Sequence, residues 1–164
     1  MKRVLSALCC FALCSLTAFA QKMSDQDFVN FAAQTDMVEA NLGQLAGSVA
    51  ASQGVKDYGQ MLATDHTQDY GQLMTAAQQA SLTAPTAIDS QHNKAMIDPF
   101  QKLQGAAFDH KYIQEMIAGH TKAIAIYKKE ADNAQNASIK SYAQTALPVL
   151  QKHLDQAKAL AKSK

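Results

Sequence analysis

The chain has 164 residues, of which 48% are hydrophobic, and it carries 15 Lys and Arg against 14 Asp and Glu. This length is enough for one domain behind a short leader. Arg3 is the only arginine, so the rest of the chain has no guanidinium to read bases or clamp phosphates, which argues against nucleic-acid binding.

The first twenty residues have the pattern of a secretory signal peptide. Lys2 and Arg3 precede an apolar run, and Ala18-Phe19-Ala20 is the small-x-small pattern that a signal peptidase cleaves after. Cleavage after Ala20 would leave residues 21–164 as one domain in the periplasm or outside the cell. Losing two basic residues would leave 13 basic against 14 acidic side chains, a net charge of −1.

The cysteines all lie in this leader, at Cys9, Cys10 and Cys14. The mature domain would therefore have no disulfide and no thiolate ligand. A lipoprotein signal is the alternative, but none of the three cysteines follows a small residue as such processing prefers. Beyond the leader, no stretch approaches the roughly 20 apolar residues of a transmembrane helix.

Two long helices are predicted at 24–50 and 55–80, on either side of a turn at 52–54. Ser24 with Asp27 resembles a capping box at the start of the first helix. Apolar residues recur at helical spacing in both segments, and each stripe contains one polar residue, Glu39 in the first and His66 in the second. These two residues lie equally far from the centre of the turn. Gly59 and Gly71 suggest a close approach of the second helix to a neighbour.

A loop at 81–88 leads to a shorter helix that Asp89 caps and that extends to about Gln104, with an interruption before Pro99. This connection is long enough to run the length of a bundle. It favours an all-α, ferritin-like four-helix bundle, in which two antiparallel hairpins are joined by a long crossover with a short extra helix. The alternative is that residues 89–104 begin the third long helix, which then bends at Gly105.

The third and fourth long helices are predicted at 106–132 and from a turn at 133–138 to Lys162. His120 and His153 lie on their apolar stripes, almost equally far from Asn136. Asp109 shares the face of His120 but lies about 16 Å further along the axis, too far to join the same ligand set. Pro148 should kink the fourth helix.

Glu39, His66, His120 and His153 therefore converge at one height, because equal distance from a turn means equal height in an antiparallel hairpin. One carboxylate and three imidazoles make a complete donor set for one transition metal ion, Zn, Cu, Fe or Mn. His110 and His92 fall outside this face. A polar core network without metal, in which Glu39 bonds to the imidazoles, is the alternative interpretation.

Further side chains lie near these ligands and are candidates to support them from outside, namely Asp36, Asp65, Asp69 and Met116. The alternative interpretation of Asp65 is that it is a surface residue that contacts no ligand. A di-iron centre fits less well than a mononuclear one, because it needs two Glu-x-x-His pairs. Here His66-x-x-Asp69 inverts that order, and Leu150-x-x-His153 lacks the carboxylate.

Several motifs resemble those of one exported bacterial family: Phe28-Val29-x-x-Ala32-Ala33, Glu39, Met61-x-x-x-Asp65-His66-Thr67, Gly105-Ala106-Ala107-Phe108-Asp109-x-x-Tyr112, Gly119-His120 and Leu147-Pro148-x-x-x-x-His153. That family is classed as a domain of unknown function within the ferritin-like superfamily and is sometimes labelled a predicted outer-membrane protein. The resemblance covers essentially the whole mature chain. It implies a ferritin-like bundle outside the cytoplasm and supplies no activity.

Three functions remain open on the sequence. The first is binding of a single metal ion for metal handling or defence against oxidative stress. The second is a metal-dependent oxidoreductase, and the third is a metal-free binding or structural module of the cell envelope. No phosphate-cradling glycine loop or nucleophile elbow is present, so no organic cofactor and no serine hydrolase chemistry are expected.

Overall fold

The computed structural model describes residues 22–163, so the predicted signal peptide lies outside the described residues. An all-α four-helix bundle is confirmed. Its long helices are α1 (Asp25–Val49), α2 (Gln53–Gln79), α4 (Gly105–Asn133) and α5 (Ala137–Lys162). Between α2 and α4 lies the short helix α3 (Ser90–His92), which continues into a π-helical turn (Asn93–Ile97) and a 3-10 turn (Asp98–Phe100). Within residues 22–163, none of the helices combines the length and the apolar character that crossing a membrane requires.

The starts of α1, α2 and α3 are capped by side chains that accept from otherwise unpaired backbone N–H groups. Ser24 and Asp27 form the predicted capping box of α1, with 3.1 Å from the Asp27 amide to the Ser24 hydroxyl. Ser52 caps α2 through the Val55 amide, and Asp89 caps α3 through the His92 amide at 2.8 Å. The predicted capping roles of Ser24 and Asp89 are therefore confirmed.

The connection between α2 and α4 runs the length of the bundle. Ala50, at the end of α1, pairs through its backbone with Gly105, at the start of α4. Since α2 returns to the other end, residues 80–104 must travel back along the helices. Gly105 has a φ of +62°, in the left-handed region that glycine adopts without strain. The alternative of one long helix bent at Gly105 is wrong, because the 3-10 turn ends at Phe100 and α4 begins separately.

Each hairpin turn is held by a carboxylate from the other hairpin. Asp109, near the start of α4, accepts from the amides of Ala51 and Ser52 at 2.9 Å each. Asp25, at the start of α1, accepts from the amides of Gln135 and Asn136 at 3.0 and 2.7 Å. These paired bonds fix the height of one hairpin relative to the other.

Helices α1 and α2 approach closely at two glycines. A Cβ on Gly43 would lie 2.4 Å from the Gly59 carbonyl oxygen, and one on Gly59 would lie 2.6 Å from the Ala46 Cβ. The close approach suggested for Gly59 is confirmed. For Gly71 it is wrong, because a Cβ there would meet nothing within 4 Å.

The apolar core consists of two clusters. One contains Phe28, Leu73, Tyr127 and Tyr142, and the other contains Leu42, Leu62, Phe108 and Tyr112. On α2 and α4 the polar residue of the stripe lies between the two clusters along the chain, and on α1 and α5 the boundary falls within one residue of it, at Val38 and Leu154. The bundle therefore has a polar layer between two apolar ones.

The sequence predicts a kink at Pro148 in the fourth long helix. In the structure, α5 continues through Pro148 without a break in the helix.

We expect Gly59→Ala to destabilise the fold by about 1–3 kcal/mol, because the added methyl group would overlap Ala46 and the Gly43 carbonyl. The matched control is Gly71→Ala on the same helix, which should be neutral or stabilising by up to about 1 kcal/mol since alanine favours helix. Urea denaturation followed by circular dichroism measures both. Equal effects of the two substitutions would contradict the close approach.

We expect Asp109→Asn to lower the free energy of unfolding by about 1.5–3 kcal/mol, because the amide offers one acceptor oxygen and sets an NH₂ against the second backbone N–H. Asp57→Asn is the control, since Asp57 is exposed on α2 and, among residues 22–163, its carboxylate accepts a hydrogen bond from the Gln53 side chain and from no backbone N–H. A loss for Asp109→Asn no larger than that for Asp57→Asn in the same denaturation experiment would show that the turn needs no anchor.

Candidate metal centre

The structure brings the four predicted residues together in the polar layer. Glu39 on α1, His66 on α2, His120 on α4 and His153 on α5 are 6%, 2%, 0% and 1% exposed. One ring nitrogen from each histidine lies within 4.8 Å of the other two, a spacing that can hold one metal ion. Their convergence follows from the hairpin geometry, and their role as ligands stays a prediction.

The distances between neighbouring donor atoms fit a four-coordinate site. Glu39 Oε2 lies 2.9 Å from His66 Nε2 and 3.3 Å from His120 Nε2. His120 Nε2 lies 3.2 Å from His153 Nδ1. A tetrahedron with metal–ligand bonds of about 2.0–2.1 Å has edges of about 3.3 Å, and these three distances are close to that length.

The outer nitrogen of each imidazole is held by an oxygen acceptor. His66 Nδ1 lies 2.9 Å from Asp36 Oδ1, and His153 Nε2 lies 2.9 Å from Asp65 Oδ2. His120 Nδ1 lies 2.9 Å from the carbonyl oxygen of Met116, one turn earlier on α4. An acceptor at the outer nitrogen assigns the N–H to that side. In the neutral ring the lone pair then points at the centre, the arrangement found around protein-bound metals.

The inner atoms cannot satisfy one another as neutral groups. His120 Nε2 and His153 Nδ1 face each other at 3.2 Å, and two lone pairs at that distance need a cation between them, either a proton or a metal ion. Glu39 Oε2 and His66 Nε2 are 2.9 Å apart but do not align as a hydrogen bond, and both are buried without another partner among residues 22–163. These unpaired buried atoms fit a metal ion at the centre, since such atoms otherwise cost free energy.

The electrostatics of the centre favour positive charge beside Glu39. Burial raises the pKa of Glu39, but the charges of His120 and His66 outweigh it and lower the pKa to about 2. Burial lowers the pKa of His66, yet Glu39 and Asp36 together hold it well above the usual value for histidine. Burial raises the pKa of Asp36 to about 7, against the opposing effect of His66. These shifts favour an ionised Glu39 beside a positively charged His66.

His153 behaves differently. Burial lowers its pKa to about 4, its hydrogen bond to Asp65 opposes this, and the charges of His66 and His120 lower it further. A neutral imidazole is the form that binds a metal. His153 is thus in its ligand form over the physiological pH range.

The four side chains predicted to support the ligands differ in what they touch. Asp36 and Asp65 each bond one imidazole. Met116 contributes its backbone carbonyl, not its sulfur. Asp69 makes no hydrogen bond to an imidazole among residues 22–163, because its carboxylate accepts from the Tyr142 hydroxyl at 2.8 Å. The surface alternative for Asp65 holds in part, since its side chain is 27% exposed while it bonds His153.

The remaining histidines stay outside the centre, as predicted. His110 is exposed on α4 and its ring contacts Gln114. His92 is part-exposed on α3 and bonds Asp89. Tyr58 is a contact that sequence reasoning missed, for its hydroxyl donates to the backbone carbonyl of His153 at 3.2 Å. The signal available in the sequence was its position about two helical turns before His66, on the buried side of α2.

The fold resembles solved structures of CopM at low sequence identity. The Cu(II)-bound form has a TM-score of 0.71 and 16% identity, and the match covers 87% of this chain and 99% of that one. The Ag-bound form, obtained by co-crystallisation, has a TM-score of 0.69 and 17% identity, and the Cu(I)-bound form has 0.66 and 15%. Each of these two matches covers 87% of this chain and 98% of the other. At this identity the likeness shows the fold.

Comparison with curated proteins gives no match. A family profile described as "Domain of unknown function (DUF4142)" matches residues 14–160, nearly the whole chain. The chain therefore belongs to this family.

Proposed function

We propose that this protein binds a single transition metal ion in its core through Glu39, His66, His120 and His153. The observation that carries the proposal is the orientation of the three imidazoles, each with its outer nitrogen on an oxygen acceptor and its inner nitrogen at the centre. A proton network alone would not need three rings aimed at one point within 4.8 Å. For this reason we favour the metal site over the metal-free polar core.

The donor set narrows the class of metal. Three imidazole nitrogens and one carboxylate oxygen suit Zn²⁺ and Cu²⁺, and also Fe²⁺ or Mn²⁺, whereas Cu(I) and Ag(I) prefer sulfur ligands. CopM, with which this chain shares its fold, was solved with Cu(II), Cu(I) and Ag bound. That supports a metal ion as the partner of this chain, with Cu²⁺ and Zn²⁺ the first candidates to test.

We propose a role in metal handling or oxidative-stress defence rather than in turnover. Four protein donors fill a tetrahedral shell, and catalytic sites usually keep one position for water or substrate. The four donors would coordinate the metal ion tightly in a dry site, where the positive charge of the ion and the negative charge of Glu39 would offset each other. The oxidoreductase alternative needs one ligand to leave, and the metal-free envelope module needs the centre to remain without metal.

We also propose that the protein is exported, with cleavage after Ala20 and the domain at 21–164 acting in the periplasm or outside the cell. The basic start, apolar run and small-x-small pattern support this. The crossover connectivity supports placing the bundle in the ferritin-like superfamily.

We expect the mature protein, purified from its native compartment, to contain one equivalent of metal by elemental analysis. His120→Ala should lose that metal, because His120 contributes a donor at the middle of the site. His110→Ala should keep it, since His110 is exposed on the same helix. Circular dichroism checks that both variants remain helical. Absence of metal from the wild-type protein, even after reloading with Cu²⁺ and Zn²⁺, would refute the site.

We expect Asp36→Asn to weaken metal binding by about 10- to 100-fold, because the substitution removes the charge that holds the His66 ring and raises its basicity. Asp69→Asn is the matched control. It makes the same change on a carboxylate that contacts Tyr142 instead of an imidazole, and it should leave the equilibrium dissociation constant within about threefold. Competition with a chromophoric chelator measures both constants, and an unchanged constant for Asp36→Asn would contradict the role of Asp36.

A further inference from the structure

Within residues 22–163, two grooves are lined by residues that bond to or belong to the buried centre. A groove of about 290 Å³ lies between α2 and α5, and its lining includes Asp65, Asp69, Thr145 and Lys152. A second groove of about 320 Å³ lies between α1 and α2, and its lining includes Asp36, Asn41, His66 and Ile88. The donors of the centre are at most 6% exposed, so a metal ion needs a path to them from the surface.

The α2–α5 groove connects to the centre through one carboxylate and one ring. Asp65 lines the groove with a side chain that is 27% exposed, and its Oδ2 lies 2.9 Å from His153 Nε2. The other ring nitrogen, His153 Nδ1, lies 3.2 Å from His120 Nε2 in the centre. The His153 imidazole therefore stands between the groove and the centre, with one nitrogen on each side.

The charges of this groove suit a cation. Asp65 and Asp69 lie one helical turn apart on α2, and Lys152 is the positive side chain in the lining. Two carboxylates against one ammonium leave the groove net negative. Its other polar lining residues are Gln68, Gln72 and Thr145. The carboxylate, amide and hydroxyl oxygens of these side chains are hard donors that can replace water molecules around a divalent ion.

The α1–α2 groove also reaches a carboxylate–imidazole pair, Asp36 and His66, but it lacks an exposed carboxylate. The carboxylate in its lining is Asp36, which is 1% exposed and already bonded to His66. Asn41 and Gln44 contribute neutral amides, and Met37 and Ile88 contribute apolar surface. A hydrated divalent ion finds an exposed negative charge in the first groove and none in the lining of the second.

We propose that the α2–α5 groove is the entrance to the metal centre for a hydrated divalent cation, and that Asp65 receives the ion and passes it to His153. This inference rests on the proposed metal site. Asp69 adds to the attraction at the mouth of the groove, and rotation of the His153 ring, once Asp65 turns to the ion, opens the way inward.

Tryptophan substitutions that fill one groove or the other test whether the α2–α5 groove is the entrance. Thr145 and Asn41 are both exposed helical residues, one lining each groove. We expect Thr145→Trp to slow Cu²⁺ uptake by the metal-free protein about tenfold or more, without changing the stoichiometry, whereas Asn41→Trp should stay within about twofold of wild type. Stopped-flow absorbance of the bound Cu²⁺ gives the rate, and equilibrium titration gives the stoichiometry.

A charge substitution gives a second readout that a structural role would not move. Asp69→Asn should slow uptake several-fold and weaken the dependence of the rate on salt, while the equilibrium constant stays unchanged. Slowing by Asn41→Trp with no effect of Thr145→Trp would overturn the entrance and leave the metal site standing. A wild-type protein that binds no Cu²⁺ would overturn both.

Discussion

The hydrogen bond on the outer nitrogen of each imidazole is the interaction on which the centre depends. A histidine ring can turn either nitrogen inward, and only a fixed acceptor decides which one carries the proton. Asp36, Asp65 and the Met116 carbonyl make that decision for His66, His153 and His120. Without them, nothing would fix which nitrogen of each ring faces the centre.

The rest of the bundle keeps these bonds at the required distances. Gly43 and Gly59 bring α1 and α2 into backbone contact, which sets the separation at which Glu39 meets His66. The apolar clusters on both sides exclude water, so that charges in the polar layer interact strongly. Packing and electrostatics are thus coupled, because a wider bundle would admit solvent and weaken the electrostatic attraction between Glu39 and a cation.

The sequence predicts the convergence of the four central residues well and the contacts around them poorly, for a physical reason. In an antiparallel hairpin, distance along the chain converts into height, so Glu39 and His66 can be matched by counting. Whether Asp65 or Asp69 reaches an imidazole depends on the rotation of α2, which its packing against α1 and α5 fixes. The Met116 carbonyl is invisible to any side-chain pattern, and the difference between Gly59 and Gly71 lies in what faces them.

The hairpins are joined by carboxylate-to-amide bonds at both ends, Asp109 at one turn and Asp25 at the other. All three cysteines of the chain precede residue 22, so the described bundle is held without sulfur. Such links neither gain nor lose electrons. The frame that positions the four central residues therefore contains no bond that a change between an oxidising and a reducing medium would make or break.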